Sequence, residues 1–151
     1  MNAETRYVRP AKSTNVFNES VAWLTRRGIS VYGSRVLYVR GRKSGELRSQ
    51  PVNPLPYQGE RYLVAPRGVT QWVRNIRAAN GEAELRIGRK VEPIRAVEIA
   101  DDDKPELLRA YLKKWAFETG VFFNGLTATS TSEELRAAAP GYPIFRVVPR
   151  S

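Results

Sequence analysis

Cysteine and histidine are both absent from the sequence, and together these absences exclude whole classes of chemistry. Without thiolate or imidazole ligands, a structural zinc site of the usual kind is excluded. Nucleophilic catalysis by Ser-His-Asp or Cys-His groups is excluded for the same reason. Acid–base chemistry would fall to Tyr, Lys, Asp, Glu or water. An enzyme with this set of side chains is therefore expected to take its reactivity from an organic cofactor.

Long apolar runs are also missing, since no stretch approaches the roughly 20 residues that a membrane-spanning helix needs. Residues 1–10 lack the apolar segment of a secretory signal, so we expect a cytoplasmic protein. The 151 residues suffice for one domain with a core and are too few to argue for two. The sequence therefore predicts a flexible N-terminal arm over residues 1–14 and a single domain over residues 15–151.

Acidic residues are few: 15 Asp and Glu face 25 Lys and Arg, which gives a formal net charge of +10. Such a charge attracts polyanions, and nucleic acid, an anionic membrane surface and a phosphorylated cofactor are the three candidates. No RNP-like or helix-turn-helix pattern is present, so no specific nucleic-acid binding is expected. Peripheral membrane association stays an alternative, and the sequence leaves monomer and homodimer open.

Hydrophobic spacing predicts short strands interrupted by a few amphipathic helices. The missing βαβ alternation and the missing G-x-G-x-x-G motif argue against a Rossmann fold. The pattern favours an α+β barrel of antiparallel strands with helices packed outside. The predicted helices cover residues 16–27, 71–79 and 103–117, with a further short helix from Ser132; the predicted strands cover residues 36–39, 47–55, 61–65, 83–87, 90–99 and 143–148.

Several residue groups have simple structural explanations. Prolines within residues 47–56 confine the second strand to a sheet edge or a bulge. Thr70 is expected to cap the helix that follows it, and the acidic run 101–103 to cap the helix after it. Tryptophans at 23, 72 and 115 are expected in the core, whereas Phe117, Phe122 and Phe123 could be core or an apolar acceptor pocket. Lys113 and Lys114 are expected on a solvated face.

The segment from Gly41 to Arg48 carries the strongest chemical signal. It offers three cations, one hydroxyl and glycines within eight residues, between two predicted strands. A phosphate group needs this mixture, because Arg binds two oxygens, Lys supplies a point charge and glycines let backbone N–H groups approach. The local residues alone do not decide between an anion-binding loop and a solvated basic hairpin.

Four ordered motifs give this loop a family context. The sequence resembles the deazaflavin (coenzyme F420)-dependent nitroreductase family over about residues 35–99, and more weakly at the closing residues 143–145. The motifs are VLYVRGRKSGELR at 36–48, NPL at 53–55, YLVAPRG at 62–68 and QWVRNI at 71–76. Several motifs at compatible spacing are more specific than any one of them.

The resemblance implies a fold, a cofactor and a site. Members of the family are split β-barrels of the FMN-binding type that use F420 where related proteins use FMN. Carried over, the basic loop would hold the phosphate and glutamyl tail of F420, the segment 64–68 would line the deazaflavin ring and ribityl chain, and the start of the next helix would lie beside the cofactor. The residues so assigned are Arg42, Lys43, Ser44, Gly45, Arg48, Val64, Ala65, Pro66, Arg67, Gly68, Trp72, Val73 and Asn75.

The sequence departs from the nitroimidazole-activating members at two places. The loop between Arg67 and Trp72 is shorter, and the tyrosine-rich motif near the C-terminus has no counterpart. Prodrug activation is therefore not carried over. The expected reaction is hydride transfer from reduced F420 to a quinone, enone or nitro-type organic acceptor. The alternatives are a non-catalytic protein that binds F420 or an apolar ligand, and an enzyme that uses FMN in place of F420.

Overall fold

The structure is a computed structural model that describes residues 6–7 and 35–150, except for the side chains of residues 116–121. The helix predicted over residues 16–27, and Trp23 within it, lie outside the described residues. Of the predicted N-terminal arm, only Arg6 and Tyr7 are described.

The described chain forms one curled sheet with three α-helices outside its strands. All of its strand pairs are antiparallel, in the order β2-β1-β5-β6-β7-β4-β3. This arrangement confirms the predicted α+β architecture. The strands are β1 (Arg35–Arg40), β2 (Leu47–Val52), β3 (Leu55–Tyr57), β4 (Glu60–Val64), β5 (Glu82–Ile87), β6 (Lys90–Glu98) and β7 (Ile144–Pro149); the helices are α1 (Gln71–Ala78), α2 (Pro105–Thr119) and α3 (Ser132–Ala138).

The region predicted as one strand over residues 47–55 is two strands, so that prediction was wrong in its continuity. β2 ends at Val52, and β3 begins at Leu55 after Asn53 and Pro54. Pro54 lies at the break and lacks the backbone N–H that a ladder needs, whereas Pro51 and Pro56 lie within β2 and β3. The two strands lie at opposite edges of the sheet, which agrees with the edge position predicted for this proline-containing region.

Two clusters of buried side chains form the core. The first lies between α1 and the inner face of the sheet and includes Trp72, which is 6% exposed. The second lies between the sheet and α2 and includes Trp115 and Phe123, both fully buried. The core positions predicted for the two tryptophans are thus confirmed, and Phe123 belongs to the core. Phe122 is half-buried against the second cluster.

The helix ends differ from prediction in two details. Thr70 does precede α1, but its side chain makes no capping hydrogen bond. Residues 101–103 form a 3-10 turn, and α2 begins only at Pro105. Asp101 there accepts a hydrogen bond from the Lys104 ammonium at 2.7 Å, so this carboxylate pairs with a buried cation in the turn before the helix.

A tight approach between α1 and β6 requires glycine at position 81. Gly81 has φ +83°, and its N–H donates to the Ile76 carbonyl at 2.9 Å. A β-carbon there would lie 2.4 Å from the Ala96 carbonyl oxygen. Gly59 has nearly the same φ, +81°, but a β-carbon there would meet no atom within 4 Å.

We expect Gly81→Ala to lower the free energy of unfolding more than Gly59→Ala does. Both substitutions cost about 1–2 kcal/mol because alanine is strained at positive φ. Only Gly81→Ala also forces two backbones apart, which should add about 1–3 kcal/mol. Urea unfolding of the two variants measures the difference, and equal losses would show that the contact between Gly81 and Ala96 relaxes without cost.

Candidate functional site

A cleft of about 390 Å³ opens where the β1–β2 loop faces α1. Its volume lies in the range of roughly 300–1,000 Å³ that is usual for small-molecule sites. The lining combines cationic, neutral polar and apolar side chains. These residues are Leu37, Val39, Gly41, Arg42, Lys43, Ser44, Arg48, Ser49, Gln50, Gln71, Trp72 and Asn75.

The β1–β2 loop is held in one conformation by its own hydrogen bonds. The Gly41 N–H donates to the Glu46 carbonyl at 2.7 Å, and the Gly45 N–H donates to the Gly41 carbonyl at 2.9 Å. The Arg40 guanidinium donates to the Gly45 carbonyl at 2.6 Å, and the Ser44 hydroxyl accepts from the Glu46 N–H at 3.1 Å. These bonds keep the cations of the loop at the mouth of the cleft.

Arg42 is tied to α1 by neutral amide oxygens. Its Nη1 donates to Asn75 Oδ1 at 2.7 Å, and its Nη2 donates to Gln71 Oε1 at 2.9 Å. Its backbone N–H also donates to Asn75 Oδ1, at 3.1 Å. Asn75 is 5% exposed, so a buried amide fixes both the backbone and the side chain of Arg42.

The cations of the cleft differ from those elsewhere in their ion pairing. Seven carboxylate ion pairs occur among the described residues, for example Arg77 with Glu98 at 2.6 Å. Within that part of the chain, none involves Arg42, Lys43 or Arg48, and the cleft lining contains no carboxylate. Their charges are therefore available to an anionic ligand.

An apolar wall completes the cleft. Leu37 and Val39 on β1 and Trp72 on α1 contribute to it. The Trp72 ring packs against Phe145, with 5.9 Å between the ring centroids. The wall is therefore part of the first core cluster, and it stands beside the cations where an amphiphilic ligand would meet both.

The structure brings only some of the predicted site residues together. Six of them line the cleft: Arg42, Lys43, Ser44, Arg48, Trp72 and Asn75. Gly45 lies in the same loop but outside the lining, and Ala65 and Val73 are buried in the first core cluster. Val64 is buried in the second cluster, and Pro66, Arg67 and Gly68 form the turn after β4, also outside the lining.

Within the part of the chain that the structure describes, the buried atoms Arg67 Nη1 and Thr70 Oγ1 beside α1 have no hydrogen-bond partner. Burial lowers the pKa of Arg67, and the nearby Tyr7 opposes that shift. The same turn contacts the N-terminal segment, because Tyr7 forms a β-bridge with Gly68, and Arg6 donates to the Pro66 carbonyl at 2.9 Å.

Sequence reasoning missed several lining residues. Ser49 and Gln50 follow Arg48 along β2 and also contribute to the lining of the cleft. Gln71 lies four residues before Asn75, and residues with this spacing share a helix face. That spacing is the signal that could have found Gln71, since both residues occur in one motif.

Among the described residues, no group of three or more potential metal-ligating side chains occurs. In the same part of the chain, no helix combines the length and the apolar character needed to cross a lipid bilayer.

Solved structures share the fold at low sequence identity. A protein described as a domain-swapped dimer is 19% identical, with 90% of this chain and 93% of that chain covered and a TM-score of 0.54. A conserved protein of Mycobacterium tuberculosis is 13% identical, with coverage of 95% and 83% and a TM-score of 0.51. A putative pyridoxamine 5'-phosphate oxidase from Listeria innocua is 12% identical, with coverage of 79% and 85% and a TM-score of 0.50. These likenesses confirm the predicted split β-barrel.

Residues 12–120 match a family model that is described as F420H(2)-dependent quinone reductase. The match covers well over half of the 151 residues and includes every residue that lines the cleft. Fold and family together define a deazaflavin-dependent oxidoreductase built on a split β-barrel. The chain belongs to the F420H(2)-dependent quinone reductase family, and its cofactor is coenzyme F420. A search among curated proteins finds no match.

The donor set of the cleft fits this cofactor. F420 carries a phosphodiester and a glutamyl tail, and anions of this kind are bound by arginine forks, lysine ammonium groups and hydroxyls. Arg42, Lys43, Arg48 and the Ser44 hydroxyl supply those groups without a competing carboxylate in the lining. The three cations contribute to the formal net charge of +10.

Proposed function

We propose that the cleft binds the anionic part of F420 and that the enzyme reduces a quinone, with enones and nitro compounds as further acceptors. Arg42, Lys43, Ser44 and Arg48 would hold the phosphate and the glutamyl tail, with Gly45 shaping their loop. The observation that carries the proposal is the group of three cations that no carboxylate neutralises within the described structure.

The part of the site that would hold the deazaflavin ring is proposed from the resemblance. Val64, Ala65, Pro66, Arg67 and Gly68 would line the ring and the ribityl chain. The segment runs from the end of β4 into the turn before α1, next to the first core cluster. Pro66 and Arg67 are the half-buried residues of this segment, whereas Val64, Ala65 and Gly68 are buried.

The protein's own residues would bind and orient the cofactor and keep water out of the cleft. The chemistry that bound, reduced F420 would supply is a hydride for the acceptor. Lys43 and Arg48 contribute charge at the mouth of the cleft, and Asn75 and Gln71 hold Arg42 in place. Trp72 closes the inner wall with an apolar surface that keeps water away. Positioning of this kind is the protein's share of catalysis in cofactor enzymes.

A quinone is the preferred acceptor because the family is described by that activity. We expect the protein to oxidise reduced F420 fastest with a simple naphthoquinone and more slowly with cyclohexenone or a nitroaromatic compound. Return of the absorbance of oxidised F420 under anaerobic conditions measures all three rates. Protein-free reactions with the same acceptors give the background rate that must be subtracted. If the naphthoquinone rate did not exceed that background, the proposed acceptor would be wrong.

A further inference from the structure

Asn75 and Gln71 hold Arg42 in an unusual way for this protein. Among the described residues, most other arginines with a side-chain partner pair with a carboxylate, as Arg61 does with Glu92 and Arg86 with Glu84. Arg42 instead donates to two amide oxygens, at 2.7 and 2.9 Å. An amide oxygen accepts a hydrogen bond without carrying a net charge, so it orients the guanidinium and leaves the positive charge in place.

We infer that Asn75 and Gln71 are positioning residues that present Arg42 to the phosphate of F420 without neutralising it. This inference rests on the proposed function of the cleft. Asn75 acts through Arg42: its Oδ1 accepts from both the backbone N–H and Nη1 of that residue. A carboxylate at position 75 would form an ion pair with Arg42 and place a negative charge in the lining of an anion site.

Burial explains why Asn75 is the more important of the two acceptors. Asn75 is 5% exposed, whereas Gln71 is exposed at the mouth of the cleft. Water competes little with the guanidinium for a buried acceptor. The Asn75 oxygen therefore fixes the direction in which the Arg42 side chain projects from the loop. Because the Arg42 side chain is already ordered, F420 binding would not carry the entropic cost of ordering it.

Asn75→Asp should therefore weaken F420 binding at least about tenfold at low salt, because like charges placed together in a site are strongly unfavourable. The loss should shrink as salt rises, since screening weakens exposed charge interactions. Asn75→Ala should weaken binding only about 2- to 10-fold, the cost of ordering one free side chain. Fluorescence titration of F420 at two salt concentrations measures these affinities without turnover.

A double substitution separates positioning from direct contact. If Asn75 acts only through Arg42, then Arg42→Ala/Asn75→Ala should bind F420 within about twofold of Arg42→Ala alone. A further large loss in the double variant would overturn the inference, because Asn75 would then contact F420 itself. Binding by Arg42→Ala that equals the parent's would overturn it as well.

Matched controls keep the test decisive. Asn124→Asp makes the same chemical change at an exposed turn outside the cleft, and it should leave F420 affinity within about twofold. Gln71→Glu places the new carboxylate on an exposed side chain, so its effect can be measured even if Asn75→Asp fails to fold. This inference would be overturned if Gln71→Glu, and Asn75→Asp where it folds, bound F420 like the parent while Lys43→Ala bound it weakly. The proposed function would stand in that case. Parent-like binding by both Lys43→Ala and Arg48→Ala would instead overturn the proposed function.

Discussion

Replacing Lys43 or Arg48 by alanine is expected to weaken F420 binding by roughly 10- to 150-fold. Both side chains are exposed and line the cleft, and neither forms a carboxylate ion pair within the described structure. A hydrogen bond to a charged group contributes about 1.5–3 kcal/mol, and each 1.4 kcal/mol is about tenfold in affinity. Isothermal titration of F420 into each variant measures the loss, which should shrink as salt rises.

Lys113→Ala is the matched control for these two variants. Lys113 is exposed on α2 and does not line the cleft, so the same loss of one charge should change affinity less than about twofold. Circular dichroism shows whether each variant is folded, as expected for substitutions of exposed side chains. If both cleft variants bound F420 with the parent's affinity, the basic loop would be a solvated hairpin, which is the alternative interpretation.

Phe145→Ala is expected to lower the free energy of unfolding by about 3–5 kcal/mol, the range for a fully buried aromatic side chain. Phe145 is 1% exposed on β7, where it pairs with Leu63 of β4 and with Glu98 of β6. Its ring packs against Trp72, so the cavity would open directly behind the apolar wall of the cleft. Urea unfolding of the variant and the parent measures the difference.

Val97→Ala is the control for Phe145→Ala. Val97 lies on the neighbouring strand β6 but is 37% exposed, and surface substitutions of this kind usually change stability by less than about 0.5 kcal/mol. Phe145→Leu should recover part of the stability, because leucine refills most of the cavity. A loss below about 1 kcal/mol for Phe145→Ala would show that this part of the core collapses around the missing ring.

The strand pattern was predictable from the sequence because it depends on neighbours along the chain. Alternating apolar residues and the turn at Gly88 gave the β5–β6 hairpin almost to the residue, over 82–87 and 90–98. The break between β2 and β3 was not predicted, although its prolines were noted. Whether prolines bend a strand or divide it depends on which strands are available to pair with each half, and here the halves lie at opposite edges.

The cleft was predictable only in part. The basic loop and Trp72 were expected at the site from motifs, and the structure places them together. Val73 and Ala65 occur in the same motifs, but both are buried in the core. A motif records that residues occur together and does not say which side chains face a ligand, because that depends on how α1 packs on the sheet.

The sequence by itself was enough to predict the cofactor and the family of this protein. The absence of Cys and His pointed to an organic cofactor because it is a property of composition, and the resemblance carried by the ordered motifs, with the basic loop 41–48 among them, implied F420 and the family. Only the tertiary structure decided how Arg42 is held. Asn75 lies 33 residues further along the chain, and the packing of α1 against the β1–β2 loop brings its amide oxygen to 2.7 Å from the guanidinium. No spacing along the sequence predicts such a contact, because it forms only when two separate elements pack together.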